Sequence, residues 1–355
     1  RMRHAKSGAW WENAVHRALA NNSVSYTEKP DSMAFMREWT SLMESGSGER
    51  GIFNRQASIK QAAKNGRRDS NYEFGTNPCS EIILRPNEFC NLSEVVIRST
   101  DSLKDIEEKV RIATILGTVQ STYTNFPYLR KIWQTNTEAE RLLGVSLTGI
   151  MDNPLMTLSN KGLKPSGTVS QLVNSSSGIH ARHSPYYIRT VRGDNKDPLT
   201  QFMKDQGIPS QPDVTKPDST TVFSFPMKSP DGAVHTADMS AIEQLEMWLA
   251  YQRSWCEHKP SVTINVKNCE WIEVGAFVYK HFDEMSGVSF LPFNEHTYQQ
   301  APYQDCSKTD YKTLLSCMPK SIEWEMLSEY EAEDNTSGMQ TLACSGDVCE
   351  LVDIV

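Results

Sequence analysis

Helical and extended patterns alternate along this chain, and that alternation restricts its fold more than any other feature. Over residues 31–44, Met33, Phe35, Met36, Trp39, Leu42 and Met43 supply the apolar face of a helix. A glycine-rich loop over 45–51 then leads into an extended segment through Ile52 and Phe53. Residues 61–76 are polar without a clear period, and 92–97 read as a strand. Leu103, Ile106, Val110 and Ala113 recur at three and four residues, which predicts a helix over about 102–119. Thr137 with Glu140 has the form of a capping box, predicting a helix from there to about Gly149. Ser240 with Glu243 repeats that signal ahead of Ile242, Leu245, Trp248, Leu249 and Trp255. Residues 261–266 alternate like a strand, Asn268 is placed to cap a helix containing Trp271, Val274, Phe277 and Val278, and Gly287–Pro292 reads as a further strand. Strands interleaved with helices predict an α/β architecture.

The 355 residues are enough for one large domain or two ordinary ones. No run approaches the roughly 18 apolar residues that span a bilayer. The net charge of −8 argues against broad binding to nucleic acid or anionic membranes, so neither is expected as a partner. Arg1 and its neighbours show no basic-then-apolar leader, and the start reads as a cut within a longer chain. Eight cysteines without a secretion signal fit a reducing, cytoplasmic setting. Neither a Cys-x-x-Cys pair nor a zinc-type Cys/His cluster occurs, and no metal site is expected.

Three segments carry chemistry. In Asn77-Pro78-Cys79-Ser80-Glu81 the thiol and the carboxylate lie two residues apart, so an extended loop turns both to one side. A carboxylate beside a substrate accepts a hydroxyl proton while the thiol acts on the neighbouring carbon. Taken alone, the same pattern more often marks a buried cysteine and a solvated glutamate after a proline turn. Cys90 follows in Glu88-Phe89-Cys90-Asn91-Leu92. The second segment, Lys164-Pro165-Ser166-Gly167-Thr168-Val169-Ser170-Gln171-Leu172, is a small-residue turn entering an apolar stretch. It either offers amides to phosphate oxygens or simply caps a helix, and it is not a Walker loop. Third, Cys344 and Cys349 are separated by four residues near the terminus. They are either a mobile dithiol able to exchange with a disulfide elsewhere or two ordinary thiols on a frayed end. Cys256, Cys269, Cys306 and Cys317 carry no motif, and core packing is expected for them.

The run from Asn77 through Ile82, continued from Glu88 to Val96, closely resembles the active-site loop of ribonucleotide reductases, most of all the monomeric, adenosylcobalamin-dependent (class II) branch. The phosphate-loop segment, residues 175–189 and Lys259-Pro260-Ser261-Val262-Thr263-Ile264-Asn265 are similar to the same branch. The glycine motif of the glycyl-radical branch is missing. So is the tyrosine pair of the diiron branch, since Tyr186-Tyr187 directly follows the phosphate loop. The resemblance implies part of a ten-stranded α/β barrel with a central finger loop, over residues 1–335, and a mobile redox-active tail over 336–355.

It further implies that Cys79 becomes the thiyl radical that takes the ribose 3′-hydrogen. Glu81 would accept the 3′-hydroxyl proton, Asn77 would bind the ribose hydroxyls, and Cys90 would be one of two reducing thiols. Ser166, Gly167, Thr168, Val169 and Ser170 would hold substrate phosphates. Ser261, Val262 and Thr263 would lie by adenosylcobalamin, with the cofactor's own base in place. Cys344 and Cys349 would relay electrons from thioredoxin or a similar dithiol protein. His180, Arg182 and His183 either touch substrate or cofactor or serve structure. The expected function is reduction of ribonucleotides, triphosphates by resemblance, to deoxyribonucleotides for DNA synthesis.

Two departures stand out. The chain corresponds to the C-terminal portion of such an enzyme, and the expected partner of Cys90 is missing, because Cys79 is the first cysteine. Residues 153–163 also replace a longer helical segment of the family. The rival readings are an inactive or split fragment needing a complementary N-terminal chain, and a simple thiol-disulfide oxidoreductase.

Overall fold

The structure is a computed structural model and describes residues 22–46, 48, 50–77, 80–159, 168–214, 216–293, 300–331, 339–341 and 351–353. The fold is mixed α/β, in two compact units formed by residues 1–182 with 231–293 and by 183–230 with 294–355.

In the first unit, strands Ser23–Tyr26, Gly51–Asn54, Gly287–Pro292 and Thr263–Val266 form a sheet in that order, with only the central pairing antiparallel. The helix Ser32–Ser45 starts where the Asp31 carboxylate accepts from the amides of Met33 and Ala34. It stops at Gly46, whose φ of 62° suits a residue without Cβ. Phe35, Trp39 and Leu42 are buried, whereas Met33, Met36 and Met43 are exposed, so the apolar face is narrower than its composition predicts. Trp39 packs edge-on against Trp271 and Phe290 and donates its Nε1 proton to Trp271 O at 2.8 Å. Burial of such rings contributes on the order of 2–3 kcal/mol each.

Asn54 caps the helix Arg55–Ala63, which occupies the start of the stretch that showed no period. Capping boxes at Ser102 and Ser240 open the helices Leu103–Gln120 and Ala241–Ser254. Strands Asn91–Val96 and Leu143–Thr148 pair in parallel, Asn91 opposite Leu143 and Val96 opposite Thr148.

Two local expectations are corrected. Thr137 does not open a helix to Gly149, because the helix is Lys131–Glu140 and Glu140 is its last residue. The Glu140 carboxylate is engaged by arginines instead of reaching back to a cap, and Arg141 turns left-handed at φ 45°. Leu143–Thr148 then runs extended, where Val145 and Thr148 favour a strand and Asn91–Val96 offers a pairing edge. Asn268 likewise does not cap Trp271–Lys280. Residue Glu270 precedes that helix without a side-chain cap, and its Oε2 accepts from Lys267 N. Cys269 and Cys317 are exposed and not core, while Cys256 and Cys306 are half-buried.

The second unit is built on an antiparallel sheet ordered Tyr303–Asp305, Tyr186–Asp194, Thr220–Lys228 and Ser210–Pro212. Phe202 from the helix Pro198–Asp205 and Phe223 from the sheet are fully buried there. A Cβ on Gly193 would stand 2.2 Å from Thr200 Oγ1, so only glycine permits this approach of sheet and helix. No helix among the described residues is long and apolar enough to cross a membrane.

Candidate active site

Asn77 and Ser80 to Ile82 lie between the strands of a very short hairpin, Gly75–Thr76 against Ile83–Leu84. Pro78 and Cys79 lie outside the described residues. On either side of them the tip is tightly organised. Asn77 O accepts from Ser80 N at 2.8 Å, and Asn77 Oδ1 accepts from Ile82 N at 3.0 Å and from Thr76 Oγ1 at 3.3 Å. Ser80 adopts φ 62°, a left-handed turn that reverses the chain. Glu81 follows, buried, and its backbone oxygen accepts from Lys259 N at 3.3 Å.

Residues 258–263 run past this tip. Ile83 N donates to His258 Nδ1 at 3.1 Å, so that ring nitrogen carries no proton. Lys259 is buried, with its stem over Gly287, where a Cβ would meet Lys259 Cε at 3.2 Å. Trp248, fully buried, donates Nε1–H to Pro260 O at 2.8 Å and so fixes the segment to the helix Ala241–Ser254. Thr263 N donates to His180 Nε2 at 3.0 Å, which leaves His180 Nδ1 to donate to Ser177 O at 2.8 Å. Ser261 and Thr263 are half-buried and Val262 is buried.

The hairpin tip, the expected cofactor segment and the flank of the phosphate loop are therefore joined by successive hydrogen bonds within one unit. Of the phosphate loop itself, Ser166 and Gly167 lie outside the described residues, and Thr168 is described in backbone only, at the start of the helix Thr168–Leu172. Val169 is exposed and Ser170 is buried, its carbonyl accepting from Ser175 N at 2.9 Å. Cys344 and Cys349 also lie outside the described residues.

Arg182 serves structure. Its guanidinium grips Asp152 through Nε at 2.7 Å and Nη2 at 2.8 Å, and Nη2 also reaches Asn174 O at 2.8 Å. Asp152 Oδ2 accepts from Ser176 N at 2.9 Å, and Thr148 Oγ1 donates to Ser176 O at 2.7 Å. The turn at 148–152 and the segment 174–182 are thereby fastened together. His183 lies in the other unit, paired with Asp305 at 3.1 Å.

Sequence reasoning missed a buried ionic cluster behind the hairpin. Arg68 donates to both oxygens of Glu140, at 3.1 and 2.7 Å, and through Nη2 to Ile83 O at 2.8 Å. Arg85 reaches Glu140 at 2.8 Å and lies over the Tyr72 ring. Glu88 Oε2 accepts from Arg85 N at 2.7 Å. Burial first, then its hydrogen bond with Glu140, pushes the Glu88 carboxyl from 4.5 up to about 8. Burial would raise Glu140 too, but the hydrogen bonds from Arg68 and Glu88 and the two guanidinium charges hold it below its usual range. The only local signal was a pair of arginines, Arg67-Arg68, in a stretch without period. Cys90, half-buried and outside any disulfide, donates Sγ–H to Asn91 O at 3.4 Å.

No family model matches the chain. It is 25% identical over 405 residues to the adenosylcobalamin-dependent ribonucleoside-triphosphate reductase of Lactobacillus gasseri, covering 95% of this chain and 53% of that protein. The enzyme of that name from Euglena gracilis is 25% identical over 335 residues, covering 84% of this chain and 45% of that protein. Among solved structures, a B12-dependent (class II) ribonucleotide reductase superposes with a TM-score of 0.70 at 23% identity, covering 88% of this chain and 52% of that one. The chain spans about half the length of the curated relatives it matches. Along nearly its whole length it is thus similar in sequence to adenosylcobalamin-dependent ribonucleoside-triphosphate reductases, and its fold is similar to that of a class II ribonucleotide reductase.

Proposed function

We propose that this chain forms the C-terminal part of a cytoplasmic, adenosylcobalamin-dependent ribonucleotide reductase that converts ribonucleoside triphosphates to deoxyribonucleotides for DNA synthesis. The observation that carries the reading is the hairpin connection, in which Asn77 is bonded to Ser80 and Ile82 while Glu81 O and Ile83 N are bonded to Lys259 and His258. The two sheets of the first unit are read as part of a ten-stranded barrel, with this hairpin as its finger loop. Residues 1–335 are read as the barrel portion and 336–355 as a redox-active arm.

The sulfur of Cys79, once oxidised to a thiyl, takes the 3′-hydrogen of the ribose and returns it at the end of the cycle. Glu81 takes the 3′-hydroxyl proton. Because Asn77 Oδ1 is turned to Ile82 N, its Nδ2 is the end that meets a ribose hydroxyl. Cys90 protonates the departing 2′-hydroxyl, which leaves as water. The two electrons come from Cys90 and a second thiol on a segment N-terminal to this chain, which become a disulfide. Cys344 and Cys349 then exchange with that disulfide and are themselves reduced by thioredoxin or a similar dithiol protein. Ser166, Gly167, Thr168, Val169 and Ser170 hold the phosphates.

The residues present fit adenosylcobalamin: half-buried Ser261 and Thr263 flank buried Val262 on a segment whose backbone is fixed at both ends, beside the thiol-bearing tip. When bound, the cofactor supplies the one-electron oxidising equivalent for Cys79. The half-length coverage of the relatives favours turnover that requires a complementary N-terminal chain.

The test is deoxynucleotide formation from ribonucleoside triphosphates with adenosylcobalamin and a dithiol, by this chain joined to the N-terminal half of a relative. Turnover that disappears in Cys79→Ser supports the reading. Turnover that survives in Cys79→Ser refutes it, and so does thiol-disulfide exchange at Cys344 and Cys349 with no deoxynucleotide formed by either protein.

A further inference from the structure

The chain end of one helix touches both thiol-bearing segments. From Glu140, the last residue of Lys131–Glu140, Arg68 leads to Ile83 O on the returning strand of the hairpin. Two residues later, Leu142 O accepts from Asn91 N at 3.3 Å and from Asn91 Nδ2 at 3.0 Å, directly beside Cys90. Between the hairpin and Cys90 the chain makes a turn over 85–88, with Asn87 at φ 59°. That turn is tied to the same helix by Asn136 Nδ2 donating to Pro86 O at 2.8 Å and by Arg85 on Glu140. Arg68, Arg85, Glu88 and Glu140 are all buried. Leaving one of them unpaired is therefore costly, and the set has a single low-energy arrangement.

We infer that Glu140 is a positioning residue, and that the helix end beside Leu142 sets the returning strand of the hairpin and Cys90 in one register. This deepens the reading above, since it concerns how Cys90 is held. The two ideas remain separable because the test reads thiol accessibility and not turnover.

The groups facing Glu88 are Arg85 on its own turn, Arg68 on the loop before the hairpin and Glu140 on the helix. His258 faces Arg68 and Ile83 from the opposite side. Arg68 and Arg85 supply two positive charges against the one carboxylate of Glu140, and Glu88 bridges to Glu140 while it keeps its proton. Ionisation of Glu88 sets two carboxylates together and removes that bridge, so the turn leading to Cys90 opens more readily as pH rises from about 4.5 through about 8.

The experiment is site-resolved alkylation of the intact chain, followed by mass spectrometry of the peptides bearing Cys90, Cys269 and Cys317. Exposed Cys269 and Cys317 are the internal references for the first and second units. Near pH 7, Glu140→Gln is expected to raise the Cys90 rate about tenfold, the factor that one lost hydrogen bond of ordinary strength gives an opening equilibrium, with both references unchanged. Arg68→Lys, which keeps the charge but loses the two-pronged contact, gives a smaller rise and serves where Glu140→Gln does not fold. The ratio of wild-type to Glu88→Gln rates at Cys90 is expected to climb as pH rises from about 4.5 to about 8 and to level off above that. An unchanged Cys90 rate in both Glu140→Gln and Arg68→Lys, a parallel rise at Cys269, or a wild-type to Glu88→Gln ratio without pH dependence overturns the inference.

Discussion

Asp152→Asn tests how the segment 174–182 is held to the turn at 148–152. Asp152 and Arg182 are 2% and 5% exposed, and their two contacts of 2.7 and 2.8 Å place the guanidinium and carboxylate fork to fork. Asparagine keeps an acceptor for Ser176 N but turns an amide N–H₂ toward the guanidinium and leaves Arg182 buried without its countercharge. Breaking one side of such a pair costs about 3–5 kcal/mol. For a unit of this size that lowers the midpoint of thermal unfolding by roughly 6–20 °C. Urea unfolding should show a lower midpoint with an unchanged slope. Hydrogen exchange should lose protection first at Gly149 and Ser176, whose amides donate to Ser176 O and to Asp152. In Asp152→Asn/Arg182→Met the orphan charge is gone and part of the loss is recovered, giving a coupling of about 2 kcal/mol or more. A single-variant loss below about 1 kcal/mol, or a coupling below about 0.5 kcal/mol, would mean the pair is water-screened and does not fasten the loop.

Three further outcomes are expected. Gly149 has φ 86° and a Cβ there would stand 2.0 Å from Ile97 O, so Gly149→Ala should cost several times more than Gly46→Ala, where φ is 62° but nothing lies within 4 Å; equal urea midpoints would contradict this. Glu88 titrates at about 8 in the folded chain against 4.5 ordinarily, so its stabilising contribution is complete below 4.5 and is lost as pH rises through about 8. Glu88→Gln should thus gain on wild type across that window, by on the order of 1–3 kcal/mol once coupling and solvent are allowed for, and parallel melting curves from pH 5 to 9 would refute the placement. Trp248→Phe removes the donor to Pro260 O from a fully buried site and should cost about 1–3 kcal/mol, with faster hydrogen exchange at Thr263; a loss under 0.5 kcal/mol would show the segment is anchored elsewhere.

What could be read from the residues alone was whatever depends on near neighbours. The helices at Ser32–Ser45, Leu103–Gln120 and Ala241–Ser254 and the strands at Asn91–Val96 and Gly287–Pro292 carry their periods and caps within a few residues, so they were legible. The kinship was legible for a related reason, since the run around Asn77, Glu81 and Cys90 is contiguous. The end of Lys131–Glu140 was misread because Thr137 and Glu140 satisfy the local rule for a cap. What decides Glu140 is Arg68, 72 residues away, for which no rule of spacing exists. The same holds for His180 with Thr263, 83 residues apart, and for Asp152 with Arg182. A buried charge must find a countercharge, and a buried imidazole a donor, but which of many they find is settled only when tertiary packing excludes water and leaves one partner within reach. The sequence by itself thus determined the elements whose periods and caps are local, and the family likeness of the thiol loop; the fold decided the remaining elements and what holds that loop's flanks in place.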